Sequence, residues 1–284
     1  MKTLPILFVL TAIPLHGALV SWVENFESFD TSKDALEIQN PDWWTGPMET
    51  HSIAVISTAG SPVPSSFQNQ SLAVGGVTPV FDPLETNTSV VYLLAPLSAS
   101  FSPPAGEPLA KLHFDLWFSS GETGSSLVDD FRLNFVDQTN AAWSSLLFSP
   151  ALDAGIVTIY RYNNVDAFAT GAIIPINTGV SLDILMDLES NKWSASLGLI
   201  DGGEVVSLFS SVDINADLLN NPTADLGSFS MDWMKSGEGW DDNFMLVDNV
   251  SIESMASVPE PGTLPLCCVF STTMLIWRRN RQVR

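Results

Sequence analysis

From Lys111 to Phe118 the side chains alternate, with Leu112, Phe114, Leu116 and Phe118 on one phase and Lys111, His113, Asp115 and Trp117 on the other. A period of two predicts a half-buried strand rather than a helix. The same alternation recurs in Phe131, Leu133 and Phe135, and in Val180, Leu182, Ile184, Met186 and Leu188, where Ser181, Asp183, Asp187 and Glu189 take the polar phase. Trp193, Ala195, Leu197 and Leu199 follow at once, so the intervening "ESN" predicts a hairpin turn. "DGG" at Asp201 to Gly203 predicts the next turn, leading into "EVVSLF". Phe229, Met231 and Trp233 form another run, and Phe244, Leu246, Val250 and Ile252 a last one, its series broken by Asp248. Only "DINADLLNN", Asp213 to Asn221, reads as a short helix, with Asp213 as its cap and Pro222 as its stop.

Many short strands joined by Gly, Pro, Asn and Ser turns, without βα alternation, predict an all-β, antiparallel sandwich. Stretches such as "STAGSPVPSSFQNQ", "ASFSPPAGEP" and "SSGETGSS" read as surface connections. No internal repeat appears, and one sandwich domain over residues 21–254 accounts for the pattern.

Charge narrows the partners. The 284 residues carry a formal charge of −21, and between Leu19 and Val258 there are 31 acidic but only six basic residues. A surface of that sign repels phosphate backbones, whose binding needs clustered Lys and Arg, so nucleic acid is excluded as a partner. The only cysteines, Cys267 and Cys268, are adjacent and lie outside the sandwich, which leaves it without a disulfide.

Both ends differ in kind from the body. Lys2, the apolar stretch Leu4 to Leu15 and the small pair Gly17-Ala18 have the layout of an export signal over residues 1–18. At the other end a linker, 255–261, precedes a greasy segment, 262–277, expected as a transmembrane helix that reaches the ~20 residues of a span only with its flanks. Arg278, Arg279, Arg281 and Arg284 then supply a stop-transfer charge in a cytoplasmic tail, 278–284, and place the acidic body outside.

The body offers little catalytic chemistry. His16 falls in the export signal, and His51 and His113 lack metal-ligand spacing; His113 reads as a plain surface residue. No nucleophile elbow, phosphate loop or zinc motif occurs, so no cofactor is expected. "EGWDDNFMLVDN" gathers Asp241, Asp242, Asn243, Asp248 and Asn249, oxygen donors of the kind a structural calcium ion takes. The same residues are turn formers, and an ordinary Asp/Asn-rich turn is the simpler reading. Aromatic rings suggest sugar contact. The body has eight tryptophans; Trp193 and Trp233 fit core phases, whereas Trp43, Trp44 and Trp240 lie near Gly, Pro or Asp and are the expected sugar-stacking rings.

Two resemblances sharpen these readings. The opening "VENFESFDTSKDALEIQNPDWW", the hairpin "VSLDILMDLESNKWSASLGLI" and the closing "GWDDNFMLVDNVSIES" are similar in pattern and order to concanavalin A-like, laminin G-like jelly-roll domains. That resemblance implies a jelly roll and admits lectins, adhesive modules and glycoside hydrolases. Its laminarinase-like members carry E-x-D-x-x-E on one strand, a string absent here. The nearest approach is Asp187 with Glu189, on which the alternative of a secreted glycoside hydrolase rests. At the chain end, Val258-Pro259-Glu260-Pro261, a greasy segment and an arginine cluster resemble the PEP-CTERM sorting signal of Gram-negative, biofilm-forming bacteria. It implies recognition at Pro259, Glu260 and Pro261 by exosortase, a membrane peptidase, transient residence in the inner membrane, and release to the cell surface or extracellular matrix. The combined expectation is an exported, non-catalytic protein that contacts exopolysaccharide.

Overall fold

The computed structural model describes residues 21–31, 39–40, 43–45, 53–58, 63–67, 69–75, 89–93, 108–120, 129–136, 142–163, 166–215, 226–234 and 243–255. The export signal, Trp240, Asp241, Asp242, Pro259, Glu260, Pro261, the greasy segment and Arg278, Arg279, Arg281 and Arg284 lie outside the described residues. Among the described residues no helix is long and apolar enough to cross a membrane.

The described strands form two wholly antiparallel sheets. Sheet A runs in the order β13 (Val206–Asp213), β12 (Lys192–Leu199), β11 (Gly179–Asp187), β6 (Leu109–Phe118), β15 (Phe244–Met255), β4 (Gln70–Gly75) and β3 (Ile53–Ser57), with β1 (Ser21–Glu24) also pairing with β15. Sheet B runs β10 (Ala167–Pro175), β9 (Ile156–Tyr162), β8 (Ala142–Ala151), β7 (Asp130–Val136), β14 (Ser228–Met234), β5 (Ser89–Leu93) and β2 (Trp43–Thr45). The predicted hairpin joins β11 to β12, with Val180 opposite Leu199 and Asp187 opposite Lys192.

The alternation read from the sequence is the alternation that fills the core. Leu112, Phe114, Leu116 and Phe118 of β6, Phe131, Leu133 and Phe135 of β7, and Phe229, Met231 and Trp233 of β14 all bury their side chains between the sheets. Aromatic contacts tie one sheet to the other. Phe114 meets Phe229 with ring centroids 5.2 Å apart, Phe118 meets Phe148 at 5.3 Å, and Trp193 meets Phe135 at 5.6 Å. Such edge-on and tilted pairs add to the area that each ring removes from water.

Three expectations are corrected. Asp213 closes β13 rather than serving as a cap, opposite Lys192, and its carboxylate pairs with the Lys192 ammonium, while 216–221 of the expected helix lie outside the described residues. In β15, Phe244, Leu246, Val250 and Ile252 do not share one face. A bulge between Asp248 and Ser251, with Asn249 at a positive φ of 47°, shifts the phase, so Met245 and Val247 face the core before it and Val250 and Ile252 after it. Leu246 instead joins Phe67, Ala73 and Trp117 in a second apolar cluster on the outer side of sheet A. The chain over 63–67 covers that patch so closely that a Cβ on Gly179 would stand 2.6 Å from Pro64 Cγ. The third correction concerns Trp43. This ring is fully buried in the core, packed against Trp22, Phe26 and Phe229, because β2 brings it opposite Leu93 in sheet B.

Candidate functional site

Of the three tryptophans expected to stack on sugar, Trp43 is thus core. Trp44 pairs with Tyr92, and Tyr92 with Ser230, so it belongs to a backbone row crossing sheet B. Tracing that row across the sheet leads to a site that the tryptophans did not mark.

Each strand of sheet B spends one phase on the core and turns the other to the opposite side, where Asn134, Ser145, Leu147 and Ser230 are buried and Asp130, Arg132, Asp232, Tyr160 and Tyr162 are half-buried. The outward phases of β7 and β14 carry Asp130, Arg132, Asn134, Ser230 and Asp232; those of β8 and β9 carry Ser145, Leu147, Tyr160 and Tyr162. Register brings them together. Asp232 stands opposite Arg132, Arg132 opposite Leu147, and Leu147 opposite Tyr160. In the next row Ser230, Asn134, Ser145 and Tyr162 follow one another. From β14 to β10 there are four strand spacings, about 19 Å at ~4.8 Å each, room for more than one sugar ring.

The polar groups on this face are held in place. Asn134 Nδ2 donates to Asp232 Oδ2 at 2.7 Å and to Ser230 Oγ at 3.0 Å, and Ser230 Oγ donates to Asp232 Oδ1 at 3.2 Å. The Arg132 guanidinium lies over the Tyr162 ring, 5.2 Å from its centroid. Burial pushes the Asp232 carboxyl above the ordinary carboxylate value, although Asn134, Ser230 and Arg132 each pull it down. Asp130 is raised for the same reason, opposed by Ser149 and Arg132. Half-buried tyrosine rings beside fixed donors and acceptors make a surface suited to a flat, hydroxyl-rich ligand. In "DFRLNFV" and "IVTIYRY" the polar phase carries these residues, and that was the available signal. Their convergence depends on pairing between segments far apart in sequence, and it cannot be read locally.

The other expected site residues fall elsewhere. Asn243 is buried, and its amide is spent on the Asp129 backbone, accepting from the N–H at 3.4 Å and donating to the carbonyl at 3.1 Å. Asp248 is also buried, accepting from Ser71 Oγ at 3.2 Å and from the Asn249 amide at 2.7 Å. These two expected calcium ligands therefore do not converge on a common point, since each answers to partners on different strands. Among the described residues no three His, Cys, Asp or Glu side chains form a metal-holding group. Asp187 accepts from the Ser190 amide at 3.0 Å in the hairpin turn and Glu189 is exposed beside it, so the pair serves a turn rather than flanking a groove.

His113 is not a plain surface residue. Its Nδ1 stands 3.0 Å from Asp183 Oδ1 and its Nε2 3.3 Å from Asp115 Oδ1. The bond to Asp115 raises its pKa; burial opposes this and the bond to Asp183 assists it. Burial pushes Asp115 up, but hydrogen bonds from His113, Ser181 and Asn249 outweigh burial and leave it below the ordinary value. Ser181 Oγ donates to Asp115 at 2.6 Å, not to the imidazole, so the cluster is a cross-strand tie and not a nucleophile with its base.

No protein-family model matches the sequence, and none of the curated proteins matches it. Among solved structures the chain is similar to peanut lectin, with 13% identity over 86% of this chain and 100% of that one, at a TM-score of 0.48. It is also similar to lectin I of Ulex europaeus (12% identity, 84% and 99% covered, TM-score 0.46) and to a Shewanella oneidensis protein of unknown function (11% identity, 86% and 90% covered, TM-score 0.43). In class this is an all-β protein of two antiparallel sheets. Those likenesses lend nothing to the site, which rests on the residues of sheet B.

Proposed function

We propose that this chain is an exported, non-catalytic polysaccharide-binding protein that works through the outer face of sheet B. One observation carries the reading: Tyr160 and Tyr162 lie in register with Arg132, Asn134, Ser230 and Asp232, a face of rings and fixed hydrogen-bonding groups. Rings supply stacking area, while the Arg132 guanidinium and the Asp130 and Asp232 carboxyls, the latter fixed by Asn134 and Ser230, orient sugar hydroxyls. Sorting is proposed on separate ground, the order of Pro259-Glu260-Pro261, greasy segment and arginines. Exosortase would hold the chain at the inner membrane and pass the body to the surface or matrix, where its ligand is exopolysaccharide.

The test of the binding face is Tyr160→Ala combined with Tyr162→Ala. Each ring contributes ~0.5–1.5 kcal/mol of stacking, so the pair should weaken affinity for matrix polysaccharide about five-fold or more, with the melting temperature nearly unchanged. Unaltered retention of the double variant on a polysaccharide column would remove the face from the account.

A further inference from the structure

We infer that the outer face of sheet B selects neutral polysaccharide chains and rejects those bearing uronate or sulfate groups, an inference that rests on reading this face as the glycan site. The geometry is that of one cation held between two acids. Arg132 has Asp232 directly opposite it on β14 and Asp130 two residues before it on the same strand and face. Adjacent outward positions of this kind are close, with opposed side chains ~4.5–5.5 Å apart at Cβ and those two along a strand ~7 Å apart. An anionic group that reached Arg132 would therefore stand beside both carboxyls.

Among the described residues no second cation joins the arginine there. Of the other cations among the described residues, Lys111 pairs with Asp183 and Lys192 with Asp213, both on sheet A. Arg161 lies opposite Leu146 and Phe168, on the other phase of β9, with its guanidinium 4.4 Å from the Phe168 centroid. The guanidinium of Arg132 lies over the Tyr162 ring, with its Nε buried, so little of it faces an incoming group. Recognition of sulfate or carboxylate is strongest where arginines cluster, and among the described residues this face has one, flanked by two acids. At longer range the body, with 31 acids against six bases, opposes any polyanion.

Neutral sugar hydroxyls fit the same groups. They can donate to Asp130 and Asp232 and accept from Arg132 and the tyrosine hydroxyls, without bringing a charge to the face. Binding of that kind depends little on salt, because no ion pair forms and no counterions are released.

The experiment uses the mature exported protein on paired columns, each neutral polysaccharide (a dextran, a galactomannan, a xyloglucan) set beside its own sulfated derivative. Neutral members should retain the protein equally at low and high sodium chloride, and their sulfated derivatives should not retain it. Asp130→Asn combined with Asp232→Asn should allow measurable retention on the sulfated derivatives, at least ten-fold above the parent. Tyr160→Ala with Tyr162→Ala should lose retention on the neutral members. Retention of the parent on the sulfated members that the tyrosine variant loses would overturn the neutral selectivity while leaving the site in place. Retention that the tyrosine variant keeps, or none on any column, would overturn the site and the selectivity with it. A double asparagine variant that still shuns the sulfated members while binding the neutral ones would overturn the role given to the two carboxyls.

Discussion

Asp248 carries a carboxyl with no exposed surface, and burial raises its pKa to about 7, helped by Asp115 and Glu27 and opposed by the Asn249 amide and Ser71. The ordinary value is 3.8. Between these two values the folded chain keeps a proton that the unfolded chain has lost, so stability falls as pH rises through this window. Linkage sets an upper bound of about 4 kcal/mol on the loss. Asp248→Asn retains an acceptor for the Asn249 amide and can donate to Ser71, and it has no charge to bury. Urea denaturation should find the parent weaker at pH 8 than at pH 5, with the asparagine variant stronger than the parent at pH 8 and less steep between. His113 acts in the same direction. Its raised pKa gives stability that is full below the unfolded value near 6.5 and is lost as pH rises through the folded value, so His113→Gln should flatten the curve further. Glu27 and Asp115, held below their ordinary values, set the opposite limit, with stability lost as pH falls through their folded values.

Element by element, the strands with strict alternation were legible and the irregular ones were not. The runs in β6, β11 and β14 follow directly from a period of two, because one face of each strand is spent on the core. In β15 Asp248 breaks the apolar series, but nothing local says that Asn249 bulges and reverses the phase beyond it. Trp43 misled for the opposite reason: turn-forming neighbours suggested exposure, and only pairing with β5 puts it in the core. Asn249 is suited to its place, since it tolerates a left-handed backbone and its amide donates to Ser66 O at 3.2 Å and Asp115 Oδ2 at 2.9 Å. Asn249→Gly should destabilise the domain by about 1 kcal/mol, through the lost bonds. Asn249→Val, which adds backbone strain, should lose roughly 2–4 kcal/mol, and thermal melts of the two variants would resolve the order.

At the scale of the whole molecule, the proposed destination rests on local strings, the form in which sorting signals are read by other proteins. The proposed binding face has no such string, because Tyr160, Arg132 and Asp232 meet only through the order β14, β7, β8, β9. If exosortase cuts near Pro259-Glu260-Pro261, C-terminal mass spectrometry of the native surface protein should find chains ending close to Pro261. Recovery of an intact Arg284 on most mature molecules would mean a permanent anchor instead. The binding face itself is tested most directly by amide hydrogen exchange of the mature protein with and without a neutral polysaccharide that retains it. New protection should fall on β7, β9 and β14, with the outer face of sheet A unchanged; protection confined to β11 and β12, or spread over neither sheet, would contradict the account.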